Sequence, residues 1–73
     1  MAKLLRPRDV IRALQRAGFV RVSQRGSHIK LKKRSEKGEI VVIVPNHPEI
    51  AQGTLDSILV MAGLTREEMD RLL

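Results

Sequence analysis

The sequence has no cysteine, no tryptophan and no tyrosine, and Phe19 is its only aromatic residue. Without cysteine there is no disulfide framework, no thiolate nucleophile and no cysteine-bound zinc, so the chain suits a reducing compartment and is expected in the cytoplasm. With one aromatic ring, it cannot grip a single strand by stacking successive bases. A membrane-surface helix is disfavoured for the same reason, because interfacial helices pair a basic face with bulky aromatics. No apolar run approaches the ~18 residues of a membrane span, and the start lacks a signal-peptide core. There is also no glycine-rich phosphate loop, no helix-turn-helix pattern, no repeat and no low-complexity tract. The expectation is one domain over residues 1–73. A chain of that size buries only about 60% of its unfolded surface.

What the chain does have is positive charge, unevenly placed. The net charge is +6, but residues 1–38 carry twelve Lys/Arg against Asp9 and Glu36, which is +10, while residues 39–73 carry −4. One half therefore fits a polyanion, nucleic acid first, and the other faces something else.

Pro7 and Asp9 suit the first turn of a helix, Val10, Ile11, Leu14 and Ala17 recur at helical spacing, and Gly18 ends it, which predicts a helix over 7–17. "FVRVSQ" then alternates, placing Val20 and Val22 on one side and Arg21 and Ser23 on the other. Arg25-Gly26 predicts a tight hairpin turn. In "SHIKLK", Ile29 and Leu31 face one way while His28, Lys30 and Lys32 face the other. "KRSEKGE" reads as a polar connection. "IVVIV" over 40–44 is apolar throughout, the pattern of a strand covered on both faces, and Pro45 ends it. Leu55, Ile58, Leu59 and Ala62 stripe a helix that begins near Thr54 and closes at Gly63. Thr65 and Glu68 form a capping box for a short acidic helix, with Leu64 set to staple on Met69. The predicted fold class is α+β, with two layers: a three-stranded antiparallel meander carrying its helices on one face. One side of the 40–44 strand then lacks an obvious cover. The last helix (through Met69, Leu72 and Leu73), a homodimer or a partner protein are the candidates.

The stretch "QRGSHIKLKKR" places His28 among five cations. On the polar face of its strand, beside a glycine turn, an imidazole surrounded by Lys and Arg could act on a phosphodiester. RNA supplies its own nucleophile in the 2′-hydroxyl, so a base and some cations suffice and neither metal nor cofactor is called for. His28 is thus the candidate catalytic residue. Arg25, Gly26, Ser27, Lys30 and Lys32 are the candidate RNA-binding residues. The bland alternative is a solvated histidine on a polar strand. His47, in "VPNHPE", reads as a loop histidine that bonds the backbone, since its spacing to Glu49 makes a poor metal site.

"GFVRVSQRGSHIKL" followed by "IVVIVPNHPEIAQGTLDSILVMAGLTREE" resembles the HicA (YcfA-like) family of mRNA interferase toxins. The resemblance rests on Gly18-Phe19, Gly26-Ser27-His28, Val44-Pro45 with His47, and Gly53-Thr54-Leu55 opening a helix that closes at Ala62-Gly63-Leu64. It implies a fold like the double-stranded RNA-binding domain, α-β-β-β-α plus a short C-terminal helix. It also implies mRNA cleavage by the histidine at position 28 and a HicB-type antitoxin that covers the site. The toxin would be a homodimer or a hetero-oligomer with that partner. Two departures trim positive charge: Ser23 stands where many members have arginine, and Pro48-Glu49 follows His47 where lysine is frequent. A non-catalytic double-stranded RNA-binding module is the competing reading, although Glu67, Glu68 and Asp70 crowd the end where such modules are basic. A DNA-binding factor would need a base-reading helix, and none is evident.

Overall fold

A computed structural model describes residues 4–73; Met1 to Lys3 of the single domain expected over 1–73 lie outside the described residues. The elements are α1 (Pro7–Arg16), β1 (Val20–Arg25), β2 (His28–Ser35), β3 (Gly38–Pro45), α2 (Gln52–Ala62) and α3 (Arg66–Leu72). The strands form one antiparallel sheet in the order β1-β2-β3, so the meander and the α+β class are as expected, in an arrangement like that of the double-stranded RNA-binding domain.

Local chemistry sets the helix ends. The Asp9 carboxylate accepts the Arg6 N–H at 3.1 Å, and Gly18 follows α1 with φ 102°. The capping box at α3 is reciprocal: the Thr65 N–H donates to Glu68 at 3.0 Å, and the Glu68 N–H donates to the Thr65 hydroxyl at 3.1 Å. α2 begins at Gln52, two residues before the expected Thr54, because its first turn tolerates Gly53.

Parity in β2 is as read. Ile29 and Leu31 are buried, and they pair with buried Val44 and Val42 of β3 to make one apolar sheet face. Val10, Leu14, Leu55, Ile58 and Met69 close over that face from the helices. Leu64, half-buried, packs against the same cluster. α2 covers β3, and α3 docks on α1, where the Arg16 guanidinium donates to the Leu72 carbonyl at 2.8 Å.

Four expectations are corrected. The 33–39 segment is not a connection: β2 and β3 stay paired down to Ser35 and Gly38, and only Glu36-Lys37 turn the chain. The first hairpin turns on Gly26-Ser27 rather than Arg25-Gly26, because Arg25 is still paired, opposite His28. β1 does not keep strict alternation. A register shift between Arg21 and Ser23 adds Val22 to the strand, so Val20 (opposite Lys32) and Ser23 (opposite Lys30) share one face. Finally, 40–44 is not covered on both faces. Val42 and Val44 are fully buried, but Val41 is only half-buried and Ile43 is 43% exposed. α3 does not cover that outward strip, because Met69 is spent in the core on the opposite side of the sheet.

Candidate active site

The outward sheet face is built by β2 and its two neighbours. His28 opens β2 immediately after the Gly26-Ser27 turn, where Gly26 adopts φ 55°, a left-handed conformation that glycine takes without strain. The Gln24 amide donates to the Gly26 carbonyl at 3.2 Å and steadies this turn. Arg25 lies directly across the ladder from His28, so their side chains leave the same face about 5 Å apart at Cβ. Lys30 follows on that face, flanked by Ser23 on β1 and Ile43 on β3.

These side chains enclose a groove of about 510 Å³ lined by Ser23, Arg25, His28, Lys30 and Ile43. Its size suits a small ligand or a single nucleotide unit. Three of the residues expected to act together, His28, Arg25 and Lys30, are therefore in one place. Gly26 and Ser27 shape the turn but do not line the groove. Lys32 shares the face, yet its ammonium sits 3.2 Å from the Glu39 carboxylate and is partly neutralised. Ser23 and Ile43 were not anticipated as walls. Ser23 arrives there through the irregular register of β1, and Ile43 through the open outward side of β3.

The His28 end of the face is bordered by main chain. Pro45 pairs with His28, and the Asn46 N–H donates to the Ser27 carbonyl at 2.6 Å. His47 is exposed two residues beyond Pro45, and the segment is pinned again where the Ile50 N–H donates to Leu5 at 2.7 Å. Among the described residues neither imidazole has a hydrogen-bond partner, so His47 is not the backbone-bonded loop histidine that its surroundings suggested. No group of three His, Asp or Glu side chains among the described residues is placed to hold a metal ion.

Chemically, the groove offers an imidazole for proton transfer beside a guanidinium and an ammonium. These are donors suited to phosphate oxygens and to charge that builds on phosphorus. A family model described as the HicA toxin of bacterial toxin–antitoxin systems matches residues 7–64. The chain belongs to the HicA toxin family. Among curated proteins, none matches the chain. The matched segment runs from the first residue of α1 to the residue after Gly63, and it contains the whole sheet and every wall of the groove. HicA membership implies an antitoxin partner. No helix among the described residues is long and apolar enough to cross a membrane.

Proposed function

We propose that the chain is an endoribonuclease toxin that cleaves mRNA at the groove around His28 and is silenced by a HicB-type antitoxin. The observation that carries this reading is the placing of His28 on the solvent face directly opposite Arg25, with Lys30 beside it. His28 removes the proton of a 2′-hydroxyl, and the freed oxygen attacks the adjacent phosphorus. Arg25 and Lys30 hold the phosphate and stabilise its growing charge, and the 5′-oxygen departs. The products carry a 2′,3′-cyclic phosphate and a 5′-hydroxyl. No metal enters, and DNA, lacking the 2′-hydroxyl, survives.

The antitoxin would sit on the same face. Ile43 is an apolar wall of the groove, half-buried Val41 continues the strip beside Lys32, and acidic groups on the partner can meet Lys30 and Lys32. Inhibition is then occlusion of His28, with no change of shape required. The deciding experiment is cleavage of single-stranded RNA by the purified protein in EDTA, comparing wild type with His28→Ala. The variant should lose cleavage while its circular dichroism stays native, because an exposed side chain contributes less than ~0.5 kcal/mol to stability. Cleavage by His28→Ala at the wild-type rate refutes the assignment. Tight RNA binding without any cleavage by wild type would instead mark a non-catalytic module.

A further inference from the structure

Cleavage through the 2′-hydroxyl moves two protons. One leaves the nucleophile; a second must reach the departing 5′-oxygen. In-line displacement puts the two oxygens on opposite sides of phosphorus. One imidazole beside the nucleophile is poorly placed to serve the leaving group in the same step. Among the groove's other polar groups, a guanidinium does not give up its proton in proteins, and an ammonium holds its own tightly at neutral pH. Imidazole is the side chain whose ordinary titration matches the task. The sequence contains one besides His28, and it is His47.

The main chain brings the two together. Pro45 faces His28 across the ladder, and residues so paired lie about 5 Å apart at Cα. His47 is two residues further on, so its Cα is within about 12 Å of that of His28. The segment between is held at both ends: Asn46 by Ser27 at 2.6 Å, and Ile50 by Leu5 at 2.7 Å with its own side chain in the core. Pro48 further narrows the backbone choices open to His47. The imidazole is exposed, and among the described residues it makes no hydrogen bond. His47 is not itself a wall of the groove, but the pinned loop holds its exposed imidazole within a residue or two of the His28 end, where a bound RNA can span both rings.

We propose that His47 is the general acid for the reaction, an inference that rests on the nuclease reading above. The 2′-oxygen bonds to phosphorus as its proton passes to His28, and the bond from phosphorus to the 5′-oxygen breaks as that oxygen takes a proton from the His47 imidazolium. Exchange with water then resets both rings.

A leaving group that needs no proton separates this role from a structural one. The wild type is first used to map a cut site in a short RNA. The same RNA is then made with sulfur replacing the bridging 5′-oxygen at that linkage. His47→Ala should cut the ordinary RNA about 10²–10⁴-fold more slowly than wild type, the usual share of a general acid. On the sulfur substrate the deficit should fall below about tenfold, while His28→Ala stays inactive on both. His47→Asn, which keeps a polar side chain in the loop, should follow His47→Ala. Circular dichroism of both variants should match wild type. Equal deficits on the two substrates, or no deficit on ordinary RNA, overturn the role of His47 alone. Rescue of His28→Ala in place of His47→Ala overturns it too. A wild type inert on both substrates overturns the nuclease reading, and this inference with it.

Discussion

Ile43 and Val44 are neighbours in β3 with opposite fates, so giving each a lysine tests the placement of the sheet. Val44 is completely buried opposite Ile29, and no polar or charged side chain is buried anywhere among the described residues. Val44→Lys forfeits about 1.5–3 kcal/mol of apolar burial and forces an ammonium toward a site with no partner, which costs several kcal/mol more. A domain of this length has only about 4–11 kcal/mol of stability in total. Val44→Lys should therefore lack a folded baseline in urea. Ile43→Lys keeps its stem on the surface and its ammonium in water. Its main penalty is the cross-strand neighbour Lys30, a like-charge pair worth roughly 0.2–1 kcal/mol. At a urea slope near 1 kcal/mol per molar, the midpoint should fall by about 1 M or less. Circular dichroism in a urea series reads both variants. Equal losses, or a Val44→Lys midpoint within about 0.5 M of wild type, would refute the assigned faces. If the antitoxin covers the outward strip, Ile43→Lys should also stay folded while losing the antitoxin.

Binding should be salt-dependent in a graded way. With a His28→Ala background to prevent cleavage, Arg25→Ala and Lys30→Ala should each flatten the slope of log affinity against log salt by about 0.7. Lys32→Ala should flatten it less, because Glu39 at 3.2 Å already screens that ammonium, and Glu39→Gln should steepen it. Fluorescence anisotropy with a labelled RNA measures all four, and a Lys32 effect exceeding the Arg25 and Lys30 effects contradicts the geometry. Away from the site, the Thr65 main-chain N–H holds the Glu68 carboxyl below its ordinary value, helped by the Thr65 hydroxyl. A lowered carboxyl stabilises the fold above its unfolded value and loses that contribution as pH falls through the folded one. The urea-midpoint gap between wild type and Glu68→Gln should accordingly shrink from pH 7 to pH 3, and a gap that widens contradicts the cap.

The features legible in the residues are those set within a few positions. Pro7, Asp9 and Gly18 bracket α1, Thr65 and Glu68 open α3, and the alternation of Ile29 and Leu31 against His28, Lys30 and Lys32 gives the two faces of β2. What the residues conceal depends on partners elsewhere in the chain. The irregularity at Val22 has no glycine to announce it, and only pairing with β2 reveals that Ser23 joins the groove. The polar 33–39 stretch reads as a loop because strand pairing there is driven by the hairpin as a whole and not by side-chain burial. "IVVIV" looks doubly buried because apolarity alone cannot tell a covered face from one awaiting a cover. Arg25, His28 and Lys30 were readable as a set. The neutralising of Lys32 by Glu39, seven positions on, was not.

Pro45 has a consequence for how the protein behaves when crowded. In an antiparallel ladder, main-chain groups point alternately toward the neighbour and away from it. Since the Asn46 N–H points at β2, the ring nitrogen of Pro45 points outward, to the unpaired side of β3, where its missing hydrogen breaks no bond. An incoming foreign strand would find usable donors only at Glu39, Val41 and Ile43, with a carboxylate at one end and a proline at the other. Those donors span only the five residues from Glu39 to Ile43, and a charge and a proline are the usual means of blunting an edge. An apolar strip can therefore remain open on this face without seeding edge-to-edge polymers.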